Sequence, residues 1–407
     1  MERRIPLMAY YFYLFLGLVL VAITLPLVLE LALVTAGALL PTRQLPDEDL
    51  PAEGFPLAVV IPAHNEEFLI SGCVKSVRDS ARQCAANSDI RIFVVAHNCT
   101  DSTAQQAREA GAKVLVYDDR AAKGKGFALR HGFEQVLAGQ AKAILVVDAD
   151  SVVSENLVPS VQRLLANGAE AVQCRYEMDT PTEKTNGRLA ALALRGFNVI
   201  RPRGRERLGL SAGIFGNGFA LRRSVLSEVP YGAFSVVEDL EYHITLVLAG
   251  KRVRFLETVL VSATLPASRD GEQVQRSRWE GGRFHAARVW TGPLLGQLLR
   301  GRLRLTEPLF DVAGLPMAYG VFALLLALCV PVPGIRIYAI VSLLVIAVHV
   351  LAAAASGPDL LRTLGLLAMA PLYILWKLRL LPAVLLGSRA KAAWVRTNRD
   401  SNFRSIS

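Results

Sequence analysis

Two carboxylates, Asp148 and Asp150, stand directly behind the apolar run from Ala143 to Val147. Hard oxygen ligands two residues apart, where a buried strand ends and the chain leaves regular geometry, suit Mg²⁺ or Mn²⁺ bridging a diphosphate. A metal held there would neutralise the charge that grows on a departing nucleotide. An isolated pair of this kind is also common turn material, so its meaning rests on its neighbours.

Those neighbours carry polar groups at matching places. Val60-Ile61 runs into Pro62-Ala63-His64-Asn65-Glu66-Glu67, and Val95-Ala96 runs into His97-Asn98-Cys99-Thr100-Asp101-Ser102-Thr103. Lys123-Gly124-Lys125-Gly126 precedes a helical pattern, whose first turn offers backbone N–H groups and a positive dipole end to phosphate. Glu238-Asp239 supplies a second acidic pair, which equally suits a plain helix N-terminus. Gln275, Arg276, Arg278 and Trp279 combine a phosphate-binding fork with a flat apolar ring, or else form an interfacial helix. Gly216-Asn217-Gly218-Phe219 reads as a tight turn. The arginines before it, at 201, 203, 205 and 207, suit a lipid phosphate or diphosphate as well as they suit a solvated, membrane-facing loop.

The elements that must position these residues follow from periodicity. Residues 57–62, 90–96, 113–117 and 143–147 are short β-branched apolar runs, as buried parallel strands are. Helical patterns at 67–84, 102–110 and 126–137 alternate with them. This alternation predicts an α/β fold with a doubly wound, mostly parallel sheet. In such sheets ligands bind beyond the carboxyl ends of the strands, where the polar segments above are found.

Flanking this region are apolar stretches. Of the 407 residues 52% are apolar, and residues 7–40 carry a single charge, Glu30. Residues 308–331 carry Asp311 alone, and residues 337–356 carry no charge, with His349 their one histidine. About 20 apolar residues in helix cross a hydrocarbon core, so each stretch is long enough to span. The first reads as one tilted helix with a candidate bend at Pro26, and its length argues against a cleaved signal peptide. Residues 360–386 are interrupted by Arg362, Pro371, Lys377, Arg379 and Pro382, which predicts a surface or partly embedded helix.

The net charge of +10 is concentrated at 195–207, 269–304 and 389–407. The last two clusters follow from the positive-inside rule. No aromatic-interleaved basic surface is present, which excludes nucleic acid as the expected partner. Five cysteines without metal spacing suit a reducing compartment. The expected order is a transmembrane helix at 1–41, a linker at 42–56, a cytosolic domain at 57–290 and an interfacial basic segment at 291–307. Transmembrane and membrane-surface helices at 308–387 and a basic cytosolic tail at 388–407 complete it.

Taken together, PAHNEE at 62–67, HNCTDST at 97–103, DADS at 148–151, VEDLEYH at 237–243 and QRSRW at 275–279 resemble glycosyltransferase family 2 of the GT-A fold. The resemblance is to its membrane-bound branch of polysaccharide synthases and ceramide glucosyltransferases, and covers about residues 57–283. It implies a nucleotide-sugar donor, with a UDP-sugar favoured, and a lipid or glycan acceptor at the inner membrane. Pro62, Glu66, Asp101, Lys125, Asp148, Gln275 and Arg278 would bind the donor. Asp150, with Asp148, would hold Mg²⁺ or Mn²⁺. Gly216, Asn217, Gly218 and Trp279 would meet the acceptor, and Asp239 would be the general base of an inverting transfer. Where the family carries an Asp at or beside position 97, this sequence has Ala96 and His97. A nucleotidyltransferase would want a Gly-rich loop where PAHNEE stands, and a binding protein without turnover would not need Asp148, Asp150 and Asp239 intact. Single transfer to a lipid and polymer synthesis are both compatible with these motifs.

Overall fold

A computed structural model describes residues 6–41, 55–85, 88–179, 185–265 and 269–387. Most of the expected linker, the basic tail at 388–407, and Arg3 and Arg4 lie outside the described residues.

Helix α1 (Leu7–Leu39) is followed by β1 (Leu57–Ala63), α2 (Ile70–Ala81), β2 (Ile90–His97), α3 (Thr103–Glu109), β3 (Lys113–Tyr117), α4 (Lys125–Leu137) and β4 (Ala143–Val146). Strand and helix alternate as the periodicity predicts, although α2 starts three residues later than expected. Next come β5 (Ser151–Val153), α5 (Leu157–Ala166) and β6 (Ala171–Asp179). Helix α6 (Thr185–Arg195) passes through a π turn (Gly196–Ile200) into α7 (Arg201–Arg207). Strand β7 (Phe219–Arg222), α8 (Arg223–Glu228), α9 (Glu238–Leu248) and β8 (Val253–Thr264) complete the sheet region.

The eight strands form one sheet in the order β3-β2-β1-β4-β7-β6-β8-β5. β1 pairs in parallel with β2 and β4, and Val60 lies opposite Phe93 on one side and Val146 on the other. These strands therefore end at one edge, which gathers the loops after Ala63, His97 and Val146. Side chains of a strand alternate between faces. In β1, Leu57, Val59 and Ile61 pack with Val74, Val94 and Val161 on one face, while Ala58 and Val60 pack with Leu129, Phe133 and Leu246 on the other. Burial on both faces explains why β1 reads as continuously apolar rather than alternating.

Beyond the sheet lie α10 (Arg269–Leu299), α11 (Thr306–Ala313), α12 (Met317–Cys329), α13 (Pro333–Ala355), α14 (Leu360–Leu367) and α15 (Ala370–Gly387). Among the described residues, α1 and α13 are each long and apolar enough to cross a membrane. α1 runs unbroken through Pro26. The stretch 308–331, expected as one span, holds two helices bent by 82° around Gly314-Leu315-Pro316. Pro316 disfavours helical geometry at the residue before it, and the Gly314 N–H still closes onto the Phe310 carbonyl. α14 and α15 likewise meet at 61°. α10 continues through residue 290, where the sequence suggested a boundary.

Candidate active site

The first two strand-end loops are stitched to each other. Asn65 takes the left-handed conformation (φ 55°), one that Asn tolerates better than most residues. There its Oδ1 accepts from the Thr100 N–H at 2.7 Å, and the Glu66 N–H donates to Thr103 Oγ1 at 2.7 Å. Asp101 accepts from the Thr103 N–H at 3.0 Å and from the Glu67 N–H at 3.3 Å. Asp101, expected at the donor, is thus a brace between the two loops. Asn98, also left-handed (φ 51°), donates to the Asp119 carbonyl at 2.8 Å and accepts from the Asp119 N–H at 2.8 Å. This fixes the loop that delivers Lys125. The His97 ring is buried and stacks on Tyr117 at 5.0 Å, which stacks in turn on His131 at 4.5 Å. Burial lowers the His97 pKa below that of a free imidazole.

Lys125 stands at the start of α4, where its ammonium donates to the Asp148 carboxylate and, at 2.7 Å, to the Gly216 carbonyl. Burial works against its charge, but Asp148 and Glu238 outweigh that effect and its pKa is raised. Gly126 lets α4 approach the 233–234 backbone, since an added Cβ would lie 2.3 Å from the Ala233 carbonyl oxygen. Asn217 does not line the cavity described below. Its amide is 1% exposed, accepts from the Asp148 N–H at 3.0 Å and donates to Ser151 Oγ at 2.8 Å. Both ends are committed, so its place is under the Asp148–Ser151 loop, not against an acceptor. Gly218 (φ 66°) is also turned towards Val261 and the sheet core. Gly216 faces the open volume, 3.5 Å from Asp239 Oδ2 measured from an added Cβ.

Glu238 and Asp239 open α9, with Asp239 Oδ1 accepting from the Leu240 N–H at 2.8 Å. Burial and the neighbouring Asp239 push the Glu238 carboxyl up to about 8. Asp239 is raised too, by burial first, against the lowering effect of the Leu240 N–H and of Lys125. The pair therefore shares protons well above the ordinary carboxylate range. α10 passes close by, because Gly282 has no side chain where a Cβ would meet Val237 at 2.4 Å.

A cavity of about 880 Å³ joins these groups. Lys125, Asp148, Asp150, Gly216, Glu238 and Asp239 line one end, and Gln275, Arg278 and Trp279 of α10 line it beside them. Its other end is walled by Leu27 and Leu31 of α1 and by Ile346, Val350 and Ala353 of α13. Of the expected site residues, Pro62, Glu66, Asp101, Asn217 and Gly218 do not line this cavity. Among the described residues no three His, Cys, Asp or Glu side chains gather to hold a metal by themselves.

The profile of the family described as glycosyltransferase like family 2 matches residues 54–282. The chain belongs to this family. It is 27% identical over 235 residues to the probable glycosyltransferase YdaM of Bacillus subtilis (strain 168), covering 56% of this chain and 54% of YdaM. The chain thus spans about half the length of that relative. It is 33% identical over 125 residues to protein RfbJ of Shigella flexneri, covering 30% of this chain and 88% of RfbJ. Among solved structures, mannosyltransferase PcManGT from Pyrobaculum calidifontis, in complex with GDP-Man and Mn²⁺, overlays with a TM-score of 0.56 at 16% identity. That overlay covers 93% of this chain and 98% of the mannosyltransferase. The sheet region has the GT-A fold, and the overlay runs over the apolar helices as well.

On this family 2 frame two groups of residues stand out whose partners the motifs do not reveal. Glu280, one residue past the QRSRW motif, accepts from the Tyr319 hydroxyl of α12 at 2.7 Å and from the Lys377 ammonium of α15. Arg201 and Arg205, expected in a solvated or phosphate-binding loop, are 3% and 1% exposed on α7. Arg201 grips Asp311 with two hydrogen bonds of 2.9 and 3.1 Å. Arg205 bridges Glu30 and Glu307 at 2.5 and 2.7 Å. A guanidinium cannot shed its charge, so burial demands carboxylate partners, and two helices, α1 and α11, supply them. The available signal was Glu30, Asp311 and Lys377 themselves, charges standing inside apolar stretches.

Proposed function

We propose that this chain is a membrane-embedded, inverting glycosyltransferase that moves a sugar from a nucleoside-diphosphate donor to a hydroxyl of a lipid-bearing acceptor. The observation that carries the reading is the single cavity that has Asp148, Asp150 and Asp239 at one end and side chains of α1 and α13 at the other. A polar reacting centre continuous with an apolar slot fits an acceptor having both characters better than it fits a free polysaccharide. In this reading α1 and α13 cross the inner membrane, and the sheet region faces the cytosol.

The acceptor oxygen attacks the anomeric carbon, its proton passes to Asp239, and the bond from that carbon to the diphosphate breaks with inversion. Asp239 has the raised basicity that proton transfer near neutral pH uses. Asp150 and Asp148 would hold Mg²⁺ or Mn²⁺. The residues fit, because Mg²⁺ is commonly held by one or two carboxylates with substrate phosphate and water completing its shell. When bound, such an ion supplies Lewis-acid stabilisation of the leaving diphosphate. Arg278 and Lys125 add fixed positive charge to the same group. Gln275 lies beside them, and Trp279 offers its ring to a sugar face. Gly216 keeps the approach to Asp239 open.

The test is transfer by the full chain in lipid vesicles, using labelled UDP- and GDP-sugars with Mg²⁺ or Mn²⁺ and Asp239→Asn as blank. Both bases belong in the panel because His97 replaces the family's acid and the mannosyltransferase of like fold holds GDP-Man. Label extracted into organic solvent is the expected result. Label confined to a water-soluble polymer would favour a polysaccharide synthase, and no label with any donor would overturn the enzyme reading.

A further inference from the structure

The buried ion pairs described above do more than neutralise one another, because one of them reaches the helix that carries Asp239. His243 lies four residues beyond Asp239 on α9, hence on the same helical face one turn away. Its ring is 1% exposed and lines the cavity, and its Nε2 donates to both oxygens of Glu307 at 3.1 and 3.2 Å. Glu307 begins α11 and is itself paired with Arg205. Arg205 continues to Glu30 on α1. On the other side Arg283 of α10 donates to the Asp311 carbonyl at 2.8 Å, one turn beyond Glu307 on α11. The catalytic helix, the motif helix α10 and the apolar helix α1 are thereby tied to one hub on α11.

Resting on the reading of Asp239 as the base, we propose that His243 and Glu307 are positioning residues. Their hydrogen bond sets the rotation of α9, and so aims the Asp239 carboxylate at the acceptor. Two features of the geometry support this role over mere packing. The contact is bifurcated over both carboxylate oxygens, which restrains the imidazole plane as well as its distance. The first turn of α9 is otherwise open towards the cavity: Glu238, Asp239 and Leu240 all line it. A base held on a helix end that borders empty volume needs an anchor one turn deeper, and His243 is the group there with a charged partner. The chain from Glu307 through Arg205 to Glu30 extends that anchor to α1, so base alignment depends on the seating of an apolar helix.

The geometry distinguishes three substitutions in the full chain. His243→Gln keeps a nitrogen donor at the place of Nε2, His243→Phe keeps the ring without it, and Glu307→Gln keeps an acceptor oxygen without charge. Positioning errors of about 1 Å cost on the order of 100-fold in rate. His243→Phe should therefore lose about 10- to 100-fold in kcat with donor KM within about twofold. His243→Gln should recover at least half of the wild-type kcat, with Glu307→Gln in between. Titration with the nucleoside diphosphate of the active donor and Mn²⁺ reports whether each variant keeps its donor site. Should His243→Phe not accumulate in membranes, the contrast of Glu307→Gln against His243→Gln carries the same test. Equal kcat in all three variants, or losses that follow thermal stability alone, would overturn the positioning role while leaving wild-type transfer intact. Absence of wild-type transfer would instead strike the functional reading beneath it.

Discussion

At the sheet end of the cavity, Lys125, Asp148, Asp150, Glu238 and Asp239 come from three separate segments and face open volume. At the end walled by apolar helices, Glu30, Arg201, Arg205, Glu307 and Asp311 are turned on one another and almost wholly buried. Both ends concentrate charge, and at the first Glu238 and Asp239 have raised proton affinity. Lys125 pairs with the Asp148 carboxylate at the first end, whereas every acid of the second cluster meets an arginine. Charge that awaits a ligand and charge that satisfies a fold are told apart by where the partners are. The lesson is that motif residues and structural residues can look identical in composition.

The comparison breaks most visibly at the reacting end. Asp239→Asn should reduce transfer by about 1,000-fold, within the range that general bases supply, while nucleotide binding persists; radiolabel transfer and nucleotide titration separate the two. Asp150→Asn should cost about 100-fold, comparable with the loss of one group that stabilises transition-state charge, and should raise the Mn²⁺ concentration needed for half-maximal rate. At the other end, Arg205→Met should spare donor binding and lower stability instead. Removing one partner from a buried charge cluster costs about 3–5 kcal/mol, visible as a depressed unfolding midpoint in detergent.

Smaller effects sharpen the boundary between the two ends. Because Asp239 must be ionised to accept a proton, kcat should fall as pH drops through its pKa, which burial raises above the ordinary carboxylate value. Glu238→Gln removes the adjacent acid and should move that limb to lower pH, as a kcat–pH profile would register. Val350→Trp on α13 narrows the apolar slot without touching the sheet. It should raise acceptor KM by about 10-fold, equivalent to about 1.4 kcal/mol of lost apolar contact, with donor KM unchanged. A matching change in donor KM would mean that the cavity is not divided as described.

Much of the sheet was legible before the structure. β1, β2, β3 and β4 fall within a residue of their predicted limits, because strands buried on both faces leave unbroken β-branched runs. The ordered motifs at 62–67, 97–103, 148–151, 237–243 and 275–279 likewise announced the family to which the chain belongs. Other expectations missed for physical reasons. The resemblance puts the turn containing Asn217 at the acceptor, but the Asn217 amide fills the gap beneath Asp148 and Ser151. Arg201 and Arg205 suited a phosphate or a solvated loop because their partners are about 100 to 175 residues away. The bend within 308–331 was not legible because hydropathy ignores Gly314 and Pro316, where the helix turns.

The sequence by itself determined the family, the strand–helix alternation and the identities of Asp148, Asp150 and Asp239, since these depend on local periodicity and on chemistry a few residues wide. Only the tertiary structure decided which charges line the cavity and which are paired with one another. It also joined the reacting end to the apolar helices in one cavity and tied His243 to Glu307. Those are contacts between residues distant in the chain, and their energies depend on burial, which no short window of sequence contains.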